Sequence, residues 1–270
     1  MKYAFSTVTC PDWDFKKIIA TAKMLKFDGI EICGIQNELY TPKIKEFSID
    51  NISQSMTYIS GNNLEIPVIS TQTFLGDKKS KIELFQEMYE CIEIAEKADA
   101  PYVKVIGDRN TKPSVENNID IYFVFDNMKQ ICSYAKTKCI TVLMETKGIF
   151  SDSRFLGRFL NELDCKNSGV LWDINNTVRY SGEPPEQTVK IFENKIKHVH
   201  INDSVLINET LEYRPLGKGD LPLTGVADAL KQINYNEFIS LDWPKRTHSD
   251  ILNADTILPQ FLYYMKNIME

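Results

Sequence analysis

Only three histidines, His198, His200 and His248, occur in the 270 residues, so a centre built on many imidazoles has little to draw on. No two of the six cysteines (Cys10, Cys33, Cys91, Cys132, Cys139 and Cys165) form a C-x-x-C pair. That excludes the common zinc-ribbon and dithiol frameworks, and several of these thiols lie in apolar stretches where a reduced, buried cysteine is expected. Neither G-x-G-x-x-G nor G-x-x-x-x-G-K-[ST] is present, which removes the glycine-rich phosphate cradles of nucleotide-binding open sheets. Basic residues are not in excess: 31 Lys and Arg against 37 Asp and Glu leave a formal charge of −6, so no nucleic-acid partner is expected. No run has the apolar length of a membrane span, and the opening MKYAFSTVTCPDWDF lacks both the apolar core and the small-residue cleavage site of a secretory signal. A soluble cytoplasmic protein without a membrane partner is expected.

What is present is ordinary globular material, 43% hydrophobic and 25% charged, with enough apolar content for a full core. Short β-rich runs recur at 3–7, 29–32, 65–70, 102–106, 141–145, 168–173, 196–202 and 238–242. Amphipathic segments of helical period separate them at 15–25, 49–61, 81–98, 119–138, 154–163, 186–192 and 225–233, and a last helix is predicted over 251–269. Within 81–98, Ile82, Phe85, Met88, Tyr89, Ile92 and Ala95 fall at three- and four-residue spacing and are expected to share a core-facing side. Strict alternation implies a parallel sheet, because each parallel pairing needs a crossover. Eight such units without a long linker predict a single α/β domain over residues 1–270, a closed (β/α)8 TIM barrel, with a doubly wound open sheet as runner-up.

Strands buried on both faces should be apolar throughout, so acids and imidazoles at their C-terminal ends need a reason. TVLME ends on Glu145, GVLWD on Asp173, HVH on His200 and FISLD on Asp242. In a barrel these ends converge on one mouth. Three carboxylates and an imidazole gathered there repel one another unless a cation joins them, so a divalent metal held by Glu145, Asp173, His200 and Asp242 is expected. An oxygen-rich set with one nitrogen and no thiolate favours Mn²⁺, with Mg²⁺, Co²⁺ and Fe²⁺ as alternatives.

At FDGIEI (27–32), Glu145, the H-x-H-x-x-D of His198, His200 and Asp203, YRPLGKGDLPL (213–223) and LDWPKR (241–246), the chain resembles the sugar isomerase and epimerase branch of the xylose-isomerase-like barrels, over nearly its whole length. The resemblance implies that the same four residues hold the metal, that Glu145 and Asp242 move protons on opposite faces of a bound ketose, and that Arg214 contacts substrate. The chain also departs from that pattern. Asp242 stands where most relatives carry Glu, and Asn176 where D-x-x-H places a substrate-contacting histidine. Lys147 and Gly148 follow Glu145 where a histidine is frequent, Ser151 replaces a second loop glutamate of the ketose 3-epimerases, and Asn202 replaces a common lysine.

Trp13, Phe74 and Trp243 follow strands one, three and eight, where aromatic rings either wall a sugar or close the barrel mouth. Lys104 and Lys147 can pair with the site's negative charge or with a substrate phosphate. Glu31 either lines the pocket or is an inner-barrel residue bonded to its neighbours. His198 is expected to be structural, with one of His198 and His200 facing the barrel and the other the helices. His248 reads as a surface residue, and Gly217 and Gly219 as the hinge of a tight loop with positive φ. The leading expectation is an enzyme, a metal-dependent sugar or sugar-like isomerase or epimerase that transfers a proton beside a metal-polarised carbonyl. Its substrate would be a sugar, sugar phosphate or cyclic polyol. The alternatives are an inosose-type dehydratase and a catalytically inactive barrel that binds metal or sugar; apurinic endonuclease activity is disfavoured. A homo-oligomer is left open.

Overall fold

A computed structural model of the chain describes residues 1–77, 81–113 and 119–269. Strands and helices alternate as β1 (Lys2–Ser6), α1 (Phe15–Leu25), β2 (Gly29–Glu31), α2 (Ile52–Ser60), β3 (Val68–Phe74), α3 (Lys81–Lys97), β4 (Tyr102–Ile106), α4 (Ile121–Thr137) and β5 (Thr141–Glu145). The second half continues with α5 (Ser153–Leu163), β6 (Ser168–Asp173), α6 (Ile174–Ser181), α7 (Pro185–Phe192), β7 (Ile196–Ile201), β8 (Asp203–Ile207), β9 (Thr210–Arg214), α8 (Leu223–Gln232), β10 (Phe238–Leu241) and α9 (Ala254–Met269).

Eight strands pair in parallel in the order β2-β1-β10-β7-β6-β5-β4-β3. The ring closes through parallel bridges from Gly29 to Glu65 and from Ile32 to Ile69. Those bridges replace a full ladder because Pro67 has no N–H to donate, which delays β3 until Val68 rather than residue 65. Beyond Ser70 the strand shifts register against β4 and runs on to Phe74 at the rim. The predicted (β/α)8 barrel is the observed fold.

Four helices begin at aspartates that accept a hydrogen bond from the backbone N–H three residues on: Asp14 from Lys17, Asp120 from Phe123, Asp152 from Phe155 and Asp173 from Asn176. The predicted stripe of α3 needs one correction. Ile82 is 78% exposed and Phe85 and Tyr89 are half-buried, while Leu84, Met88, Cys91, Ile92 and Ala95 face the core. Tyr89 instead packs on Tyr134 of α4, with ring centroids 4.0 Å apart, so a surface aromatic pair draws the helix face outward.

Two apolar layers result. The large one lies between the outer barrel face and the helices, and a small one of Val68, Leu143 and Leu171, covered by Tyr102, plugs the barrel floor. Above that floor the interior turns polar, with Glu31, Ser70, Lys104, His198 and Ser240 all buried. The sheet thus separates a dry base from a polar mouth at the C-terminal strand ends.

Two elements lay outside the sequence-based expectation. Asp173 both ends β6 and caps α6, its Oδ1 accepting from the Asn176 N–H at 3.1 Å. The polar INNTVRYS hides this helix from a hydrophobic-period reading. An antiparallel hairpin, β8 with β9, follows β7 directly; Asn208 and Glu209 at its tip have φ of 47° and 64°, the left-handed pair that a tight hairpin turn requires.

Candidate metal and active site

Alternation along the strands decides what the mouth contains. On β7, His198 and His200 are two residues apart and therefore face the same side. The expectation that one imidazole would turn to the helices is thus wrong: both lie inside the barrel and both meet Glu31 of β2. His200 Nε2 is 2.8 Å and His198 Nε2 3.1 Å from Glu31 Oε2. Ser70 Oγ donates to the other Glu31 oxygen at 2.6 Å, and His198 Nε2 is also 2.8 Å from Ser240 Oγ. Glu31 is therefore the bonded inner-barrel residue. Burial works against its charge, but His200 and His198 outweigh that and hold it well below the ordinary carboxyl range.

Above this network, Glu145, Asp173 and His200 each bring a donor atom within 4.8 Å of the other two. They come from neighbouring strands β5, β6 and β7, with Asp173 and His200 directly paired in register. Asp242, just past β10, stands outside that tight trio, its Oδ2 3.7 Å from His200 Nδ1. Its shorter side chain leaves it at the rim, 25% exposed where His200 is 2% exposed. Asn202 Nδ2 donates to the Asp242 carbonyl at 3.2 Å and so fixes that strand end.

The donor set fits a divalent ion. Among the described residues His200 Nδ1 is buried without a hydrogen-bond partner, while its other nitrogen is engaged by Glu31. That is the arrangement of an imidazole held by a carboxylate with its free nitrogen turned to a metal. Two carboxylates supply oxygens beside it, with a third at the rim.

Charge within the site is uneven. Lys104 of β4 reaches Glu145 Oε2 at 2.9 Å in a fully enclosed ion pair. Burial disfavours the Glu145 anion, but Lys104, then Lys147 and His200, overcome it and bring its pKa down to about 2. Asp173 has no such partner: burial and then the Glu145 charge push it up to about 7. Burial likewise raises Asp242. His200 rises to about 10 because Glu31 and Asp242 outweigh its burial.

The expected substrate residues fall in different surroundings. Phe74 is partly open at the rim between two cations, with Arg109 4.5 Å and Lys147 5.9 Å from its ring centroid. Among the described residues Lys147 has no carboxylate in ion-pair contact. Asn176 is buried in the first turn of α6, next to Asp173. Trp13 is packed in, with the Lys17 ammonium 4.2 Å over its ring, and Trp243 is enclosed with its indole N–H donating to the Leu252 carbonyl at 2.9 Å. Arg214 turns to Glu212 and to the Tyr213 carbonyl.

Tyr213, beside Arg214, is the mouth residue that sequence reasoning missed. Its ring packs between Trp243 and His248, and burial, then the charges of Asp173 and Asp242, push its phenol upward. Only the unforeseen hairpin carries it over the site, so no local pattern announces it. The glycine segment is tied down by Asp203, which accepts from the Gly217 and Gly219 N–H groups at 2.8 and 2.9 Å. Gly217 has the expected positive φ of 78°, whereas Gly219 is required for closeness: a Cβ there would lie 2.0 Å from Asp203 Oδ1.

The chain is similar to several solved barrels over its whole length. The IOLI protein with a bound zinc atom is 16% identical, with a TM-score of 0.82 covering 100% of this chain and 98% of that one. The probable 3-DHS dehydratase AsbF from Bacillus anthracis is 17% identical, with a TM-score of 0.79 over 99% of both chains. D-Psicose 3-epimerase from Clostridium cellulolyticum H10, solved with D-tagatose, is 14% identical, with a TM-score of 0.79 over 100% of both. No curated protein sequence matches the chain. At these identities the solved neighbours share the fold with it, and among the described residues no helix is long and apolar enough to cross a membrane. Residues 19–267 match the family described as Xylose isomerase-like TIM barrel, and with 249 residues inside that match the chain belongs to this family.

Proposed function

We propose that this barrel is a metal-dependent isomerase or epimerase of a sugar or sugar-like ketone. The observation that carries the reading is the Glu145, Asp173 and His200 trio, closed within 4.8 Å around a buried imidazole nitrogen that has no other partner. Glu145, Asp173 and His200 would hold the ion with Asp242 at its open side, and the oxygen-rich set favours Mn²⁺. When bound, the ion polarises a ketone and its neighbouring hydroxyl and acidifies the C–H between them.

The chain's own residues supply the rest. Asp242, raised by burial and open at the mouth, gives a proton to one face of the substrate carbon while Glu145 takes one from the opposite face, so the carbon inverts, and the reverse reaction exchanges the two roles. Glu145 faces the other side, kept ionised by Lys104. Phe74, Lys147, Asn176 and Arg214 lie on the segments that follow strand ends or lead into the glycine loop, where they orient the sugar; Lys147 offers its ammonium to a hydroxyl, carboxylate or phosphate. Trp13, on the segment between β1 and α1, would add an aromatic wall to the sugar site.

A second reading, dehydration of a cyclic ketone, is favoured by the Lys104–Glu145 pair. Epimerisation needs a proton carrier on each face, whereas elimination needs one base and a leaving hydroxyl, and Lys104 at 2.9 Å occupies a lone pair of one carboxylate. Product analysis with metal-loaded protein on ketoses and inososes separates the two. Turnover should fall about 100-fold or more in Glu145→Gln and in Asp242→Asn. Unchanged substrates with stoichiometric metal bound would refute both, and activity appearing only in Asp242→Glu would mark the natural chain as a binding barrel.

A further inference from the structure

Among the described residues, two groups of side chains in the barrel have donor atoms close enough for an ion, Glu145 with Asp173 and His200, and Glu31 with His198 and His200. They share His200, one above it and one below. Composition alone gives both the same standing. Their internal bonding does not: the lower group is already joined, with both imidazole Nε2 atoms on Glu31 Oε2 at 2.8 and 3.1 Å, Ser70 on the other oxygen at 2.6 Å and Ser240 on His198 at 2.8 Å. Every one of these side chains is within 2% of complete burial. An ion there would need donors at roughly 2.0–2.2 Å from its centre and would have to break each of these bonds. In the upper group His200 Nδ1 is unpartnered, with Asp242 Oδ2 3.7 Å away.

We propose that Glu31, supported by Ser70, His198 and Ser240, is a positioning residue that keeps a hydrogen on His200 Nε2 and so leaves Nδ1, turned to the upper group, as the nitrogen that gives up its proton to an ion, so that the barrel binds one ion per chain. The inference rests on reading His200 as a metal ligand. A carboxylate only accepts, so the nitrogen facing Glu31 must carry hydrogen, and a neutral imidazole has a single hydrogen to place. Without the carboxylate the ring is free to take either tautomer, and only one of them presents a lone pair to the site.

Titration of the protein with Mn²⁺ and Zn²⁺ by calorimetry tests this without any substrate. The wild type should take one ion per chain, and Glu31→Gln should weaken it about 10- to 100-fold, the usual effect of removing a carboxylate behind a histidine ligand. Should that variant fail to fold, Ser70→Ala, which leaves the carboxylate but removes the donor that orients it, must weaken the ion in the same direction. In wild-type protein with ¹⁵N-labelled histidine and ¹¹³Cd bound, cadmium should couple to His200 Nδ1 while Nε2 keeps its hydrogen. Two ions per chain or an affinity unchanged in Glu31→Gln would each overturn the proposal and leave the upper site standing, and coupling through Nε2 would overturn it by placing the ion on the Glu31 side of the ring. A wild type that takes up no ion would instead end the metal reading of the whole mouth.

Discussion

Glu145 and Asp173 lie on adjacent strands at nearly equal burial, yet one carboxyl is held at about 2 and the other at about 7. Lys104 makes the difference, since it bonds Glu145 and not Asp173. Lys104→Met should therefore cost the metal-free protein about 3–5 kcal/mol, because it leaves a buried carboxylate unpaired, and chemical denaturation with and without metal would measure it. A smaller loss in the metal-loaded protein is expected, as the ion takes over the lysine's neutralising role. The pH dependence follows from the raised groups. The Asp173 contribution to metal-free stability is complete below its unfolded value of 3.8 and is lost as pH rises through about 7; that of His200 is complete below 6.5 and is lost through about 10. Metal must displace both protons, so the logarithm of its affinity should climb with a slope of about two below pH 7 and about one between 7 and 10, read by titration in buffers across that range. A pH-independent affinity would refute this assignment of charge.

Among the elements, the hairpin and the glycine segment after it depend on a single carboxylate. Asp203 accepts from Gly217, Gly219 and its neighbour Ser204, and Arg179 of α6 ties Ser204 to Asp220. Gly219→Ala would drive a methyl into that carboxylate, and Gly217→Ala would combine a strained φ with a Cβ 2.4 Å from the Tyr264 ring. Each should lose about 1–3 kcal/mol by denaturant midpoint, with metal affinity retained because the trio sits on β5, β6 and β7. The H-x-H-x-x-D motif was legible as a unit, but its parts have different surroundings: His200 turns Nδ1 toward Glu145 and Asp173, His198 bonds Glu31, and Asp203 folds a loop. Spacing of two along a strand places the imidazoles together, which the sequence reading misassigned. Helix α6 was hidden by its polar composition, and the hairpin by a Glu where its turn ordinarily takes glycine.

At the scale of the whole molecule, the floor of Val68, Leu143 and Leu171 carries the polar mouth above it. Leu171→Ala should cost about 2–5 kcal/mol, since the floor has few neighbours able to close the cavity; thermal unfolding would register it. Bound metal should offset part of such a loss, by about 2.7 kcal/mol at a free concentration 100-fold above its Kd, and a chelator should reverse the gain.

Strand and helix alternation, the barrel, and the acids and imidazole at strand ends were determined by the sequence itself, because each is a pattern of neighbours along the chain: period two, period near four, or a polar residue closing an apolar run. Which of those residues meet was decided only by the closed sheet. Register set Asp173 opposite His200, brought Lys104 to Glu145 across 41 residues and Glu31 to His200 across 169, and left Asp242 outside the trio with its Oδ2 3.7 Å from His200 Nδ1. Those are contacts between distant strands in a dry, low-dielectric interior, where a partner a few ångströms away sets the charge state and no feature of local sequence records which partner that will be.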